Sequence, residues 1–114
     1  MTDKRIVLTT AGSSDEARKI ARSLVERRLA ACVNIFPGMV SIYRWESQIE
    51  TASEVAMLVK TSKELESQVL DALAEKHPYT VPALVVFEPR RVAASYMEWL
   101  YNQTISRGAA SGPK

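Results

Sequence analysis

A chain of 114 residues with 46% hydrophobic content is long enough for one domain with a core of its own. Charged residues of both signs make up 25% and the net charge is only +2, which excludes a disordered chain and leaves no electrostatic footprint for nucleic acid. No apolar run approaches the roughly 20 residues that span a membrane, and a single cysteine permits no internal disulfide. The first residues lead straight into a strand without signal-peptide anatomy, so the expectation is a cytoplasmic protein. A single domain over residues 1–104 and a flexible, small and polar tail over 105–114 complete the outline.

Arg5 to Thr10 (RIVLTT) is a β-branched run ended by Ala11-Gly12, which predicts a first strand. Ser13 and Glu16 form a capping box, and Asp15 and Glu16 place negative charge in the first helical turn. Ala17, Ile20, Ala21, Leu24 and Val25 then recur at helical spacing, with Arg27 and Arg28 expected in the last turn. From Leu29 to Thr61 the pattern is that of one long β-hairpin. Its first arm starts at Cys32 and bends at Pro37-Gly38, where a bulge is expected. Beyond the bend, Ser41, Tyr43 and Trp45 share one face and Val40, Ile42 and Arg44 the other. The chain reverses around Glu46 to Gln48, and the run Val55 to Val59 is apolar on both faces, as in a covered central strand.

Thr61 and Glu64 predict a second capping box, opening a helix with Leu65, Val69, Ala72 and Leu73 on its buried stripe and His77-Pro78 at its end. Val81 to Val86 predicts an edge strand, since Pro82 cannot donate to a central ladder. Met97, Leu100 and Tyr101, beside Tyr96 and Trp99, predict a short C-terminal helix. The order β-α-β, β-α-β is the α+β, ferredoxin-like plan: four antiparallel strands with two helices on one face. Each hairpin arm of about 14 residues spans some 45 Å, whereas a helix of about 15 residues covers only about 23 Å. The hairpin end and the second sheet face therefore call for another copy of the chain or a partner, and a dimer or a trimer would serve.

The candidates for chemistry are few. Cys32 is a soft donor suited to copper(I) or zinc, and equally a residue type that packs in cores. His77, the one histidine, fits a metal ligand or proton carrier, and also a helix C-terminus, where it bonds free carbonyls. Tyr43, Trp45 and Lys60, together with Glu50, have the composition of a small-molecule cleft and also that of an interface anchor. No GxSxG, phosphate-cradling glycine loop or HExxH occurs, and the four glycines of the chain are scattered, so no enzyme is expected.

LAACVNI, SIYRWESQIE, MLVKT and HPYTVPAL stand in an order and spacing that resemble the CutA divalent-cation-tolerance family, from about Ile6 to Trp99. The resemblance implies a ferredoxin-like subunit in a homotrimer whose hairpins interlock around the threefold axis, and a cytoplasmic protein linked to tolerance of copper or another divalent cation. It carries Cys32, Tyr43, Trp45, Lys60 and His77 onto recurrent family positions, with Cys32 and His77 as the metal candidates. The family architecture is also similar to PII signalling trimers. That implies an alternative role as a sensor or scaffold, taking a small anionic ligand or partner segment in a cleft between subunits. Two positions depart from the family pattern: Thr80 replaces the glutamate of HPYEVP, and Ser47 stands where WxGxIE has glycine.

Overall fold

The computed structural model describes residues 3–77 and 81–105. Its elements are β1 (Lys4–Ala11), α1 (Ser14–Glu26), β2 (Cys32–Trp45), β3 (Gln48–Ser62), a 3₁₀ turn (Lys63–Leu65), α2 (Glu66–Lys76), β4 (Val85–Phe87) and α3 (Ala94–Gln103). The strands form one antiparallel sheet in the order β2-β3-β1-β4, which is the ferredoxin-like arrangement.

The register explains how the sheet divides its two faces. Val33, Val59, Val7 and Val86 lie in one row across all four strands, and Ile35, Met57 and Thr9 lie in the next row of the same face. This face carries the core, where Val7, Met57 and Val59 are fully buried with Leu24 of α1 and Val69 and Leu73 of α2. Each such side chain contributes about 1.5–3 kcal/mol of apolar burial, so Leu24→Ala would cost roughly 2–5 kcal/mol. Because side chains alternate along a strand, the opposite face carries the rows Cys32–Lys60–Ile6–Phe87 and Asn34–Leu58–Leu8–Val85. Ala56 and Leu58 of β3 are only partly buried there. The expected two-sided cover of Val55 to Val59 is thus met on one face only by this chain's own residues.

α1 begins as expected. The Ser13 hydroxyl accepts from the Glu16 amide at 3.1 Å, and the Glu16 carboxylate accepts from the Gly12 amide at 3.0 Å. Its end differs. α1 stops at Glu26, and Arg28 adopts a positive φ of 60° rather than extending the last turn. The Leu29 amide then donates to the Leu24 carbonyl and the Arg28 amide to that of Val25, the paired bonds of a Schellman motif with arginine where glycine is usual. Val25 is exposed rather than buried, on a groove between α1 and β2 that Val33 and Ile35 also line.

The second capping box does not form. β3 runs on to Ser62, so Thr61 is still a strand residue, and its hydroxyl donates to the Leu29 carbonyl at 2.6 Å. A 3₁₀ turn follows, and α2 starts at Glu66 without a side-chain cap. The edge strand is also shorter than Val81 to Val86: only Val85–Phe87 pairs, against Ile6 to Leu8.

The hairpin agrees with its pattern. Phe36 pairs with Ala56 and Met39 with Glu54, so Pro37 and Gly38 bulge out, and Gly38 takes a φ of 81°. Glu46 and Ser47 make the reversal with φ of 51° and 67°, both positive as a type I′ turn requires. The arms extend past the helices and account for the 48 Å long axis of the molecule. At the far end, Val40, Ile42 and Ile49 are 62%, 71% and 61% exposed. Ile105, at the start of the expected tail, packs against the core and donates its amide to the Arg28 carbonyl. Residues 106–114 and Thr80 lie outside the described residues.

Candidate functional site

Two separate regions hold the residues that sequence reasoning grouped together. The first is the base of the open sheet face. Cys32 opens β2 directly across from Lys60, and Lys60 in turn faces Ile6 of β1. Lys4, two residues before Ile6 and paired with Ser62, lies on the same face diagonal to Lys60. α3 closes over Lys4: its ammonium stands 4.1 Å from the centre of the Tyr96 ring, and Lys4 is only 8% exposed. Burial pushes the Lys4 ammonium below its ordinary value, repulsion from Lys60 pushes the same way, and the Cys32 thiol, when ionised, acts in the opposite direction.

The Lys4 end of the sheet is tied to α3 by further bonds. The Tyr101 hydroxyl donates to Asp3 at 2.8 Å. Burial, that bond and the charges of Asp3 and Glu64 push the Tyr101 phenol up to about 12. The Arg28 guanidinium donates to the Asn102 carbonyl at 2.5 Å and to that of Gln103 at 3.2 Å, where the helix leaves its carbonyls without internal partners. On the opposite, core-side face, Arg5 is buried between Glu66 at 3.3 Å and Glu88 at 2.9 Å, an ion triad that seats α2 against the sheet.

The second region is the hairpin tip. Tyr43 pairs with Glu50 and Trp45 with Gln48, and by alternation Tyr43, Trp45 and Glu50 fall on the same sheet face as Cys32 and Lys60. Ten residues of β3 separate Glu50 from Lys60, about 33 Å of extended strand. One chain therefore places the four cleft residues at two ends of its hairpin, and only a second copy could bring Lys60 to Tyr43, Trp45 and Glu50.

Cys32 and His77 are likewise apart. The buried His77 ring nitrogen Nε2 is 2.6 Å from the Thr10 carbonyl, and against that acceptor it donates. Thr10 lies four residues along β1 from Ile6, and Cys32 is two strands across from Ile6, which places the two sites about 13 Å apart lengthwise and about 10 Å apart sideways. Among the described residues no three His, Cys, Asp or Glu side chains converge as a metal site would require.

Lys4, Tyr96 and Arg28 are the site residues that sequence reading passed over. A signal for Lys4 was present: it shares strand parity with Ile6 and Leu8, so it had to lie on the open face.

A sheet in the order β2-β3-β1-β4, with helices on one face and a hairpin that outruns them, defines an α+β protein of the ferredoxin-like plan. The family model described as CutA1 divalent ion tolerance protein matches residues 5–103, and the chain belongs to that family. It is 42% identical over 101 residues to the divalent-cation tolerance protein CutA of Thermus thermophilus, covering 89% of this chain and 98% of that one. The crystal structure of the divalent ion tolerance protein CutA1 from Ehrlichia chaffeensis superposes with a TM-score of 0.88 at 30% identity, over 92% of this chain and 98% of that one. The solved structure of the periplasmic divalent cation tolerance protein CutA from Archaeoglobus fulgidus gives 0.84 at 39% identity, over 88% of this chain and 97% of that one.

Proposed function

We propose that this protein serves divalent-cation tolerance as a homotrimer, with the cation, copper foremost, as its cargo. The observation that carries the assembly is the hairpin tip, where Val40, Ile42 and Ile49 are exposed on one face and Tyr43 and Trp45 on the other. Apolar surface on both sides of a projecting ribbon is what sister chains cover in a closed ring. Cys32, half-buried on the open face, is the soft donor, and the distance to His77 within one chain means that a cation held by both draws its ligands from different copies. The family description names tolerance rather than a reaction, which supports a non-enzymatic role. One cysteine and the lack, among the described residues, of a helix able to cross a membrane are compatible with the cytoplasm.

Native mass spectrometry of the metal-free protein, then titrated with copper and zinc, tests this. The expected result is a trimer that takes up metal in fixed stoichiometry and loses it in Cys32→Ser. Loose uptake without stoichiometry, equal in both proteins, would remove the metal role and leave the assembly. A second reading is favoured by Lys4 and Lys60: two cations beside the thiol suit a cleft for a small anion, in the manner of a PII-like sensor.

A further inference from the structure

The open sheet face has a direction. By strand register, Lys4 and Lys60 stand at its base and Ile6, Leu8 and Leu58 cover its middle. Glu54 and Glu50 lie on the part of the hairpin beyond the end of β1, and Tyr43 pairs with Glu50 near the tip. Asp3 and Glu64 also stand at the base, on the side of α3, where Asp3 accepts from the Tyr101 hydroxyl and the charge of Glu64 acts on the same phenol. Along the strands of this face, then, both ammonium groups are at one end and both carboxylates toward the other. The bulge sets which aromatic residues join them. Between Phe36 and Met39, β2 advances three residues while β3 advances two, from Ala56 to Glu54. That extra residue puts Tyr43 and Trp45 on the face of Cys32 and Lys60; without it, Val40 and Ile42 would take their place. Two such ribbons laid over each other in the same direction set lysine against lysine and glutamate against glutamate. Laid tip to base, they set opposite charges together and cover Tyr43 and Trp45, which are 44% and 45% exposed in the single chain.

We propose that the occupant of this face is the hairpin tip of a second copy: Glu50 of one copy pairs with Lys60 of the next, Tyr43 and Trp45 lie beside Cys32, and the contact repeats head to tail until the ring closes. The inference rests on the homotrimer reading and adds to it the direction of the contact and the ion pair that sets its register. Each cleft is then built from two copies, the base of one and the tip of another, and no copy keeps a free tip. The Glu50 carboxylate supplies from within the assembly the negative charge that the two lysines suit.

Subunit exchange between unlabelled and isotope-labelled full chains, followed by native mass spectrometry, tests the pairing. Lys60→Glu and Glu50→Lys should each speed exchange about tenfold or more, and the double variant should recover most of that change. Glu50 is exposed in the single chain, so Glu50→Lys leaves the subunit's own fold intact. Lys19→Glu, a reversal at an exposed position of α1, should exchange as the unaltered chain does. A short bismaleimide reads the direction. In Tyr43→Cys it links the new thiol to Cys32 of the next copy, giving covalent species up to the trimer, whereas the unaltered chain, with one thiol, cannot exceed a dimer. A double variant no better than the singles, or a ladder in Tyr43→Cys that stops at the dimer, would overturn the tip-to-base contact; the trimer reading survives that result if native mass spectrometry still shows three copies. An unaltered chain that stays monomeric would overturn both.

Discussion

Arg28 joins the end of α1 to the end of α3, and two substitutions separate its backbone role from its side-chain role. Its guanidinium makes two bonds to the terminal carbonyls of α3, at Asn102 and Gln103, in an exposed setting. At about 1 kcal/mol each, Arg28→Ala removes about 2 kcal/mol from the docking of α3. A side chain at φ 60° also carries a left-handed cost of about 1 kcal/mol, which alanine retains and glycine releases. Arg28→Gly should therefore cost only about 1 kcal/mol net. Amide hydrogen exchange in α3, read at the buried Leu100, reports this local opening directly. Protection should fall in the order native, glycine, alanine. Unchanged exchange in both variants, or glycine opening at least as readily as alanine, would refute the link.

Ser47 stands in the hairpin turn at φ 67°, so Ser47→Gly should stabilise the protein by about 1 kcal/mol, seen as a raised urea midpoint with an unchanged slope. Trp45 is 45% exposed in the single chain, so Trp45→Ala should shift sedimentation toward smaller species far more than it disturbs the subunit's own core; an unaltered oligomer would count against burial by sister chains. Tyr101, pushed up to about 12 from the ordinary value of 10, holds its proton where an unfolded tyrosine has lost it. Its contribution is fully present below about pH 10 and is lost as pH rises through about 12, because the unfolded state then binds fewer protons. Tyr101→Phe should flatten the fall of stability with pH across that window, and denaturant curves at several alkaline pH values would show whether it does.

Local rules were legible wherever one residue and its near neighbours decide the outcome. Ser13 with Glu16 capped α1, Pro37-Gly38 bulged, and the reversal fell at Glu46-Ser47. The same rule failed at Thr61, whose spacing to Glu64 is that of a capping box. Pairing with Arg5 holds Thr61 in β3, and its hydroxyl satisfies the Leu29 carbonyl instead of a helix amide. Arg28 was read as a charge at a helix end, because nothing in the surrounding residues announces a contact with carbonyls more than seventy positions away.

The candidate site was legible as a set of residue types and not as a place. Cys32 and His77 were natural metal candidates by chemistry, but Cys32 opens β2 whereas His77, at the end of α2, bonds the Thr10 carbonyl near the far end of β1. Lys60 and Trp45 share a sheet face but stand at opposite ends of a long ribbon. Lys4 acquired its buried position only when α3 laid Tyr96 across it.

Hydrophobic periodicity, caps and turn residues by themselves determined the element order, the ferredoxin-like plan and the excess length of the hairpin, since each depends on interactions a few residues apart. Only the tertiary structure decided which charges meet, which bonds end the helices and which face stays open. Those outcomes depend on the register between strands distant in sequence, and a one-residue slip would turn every one of these side chains to the other face.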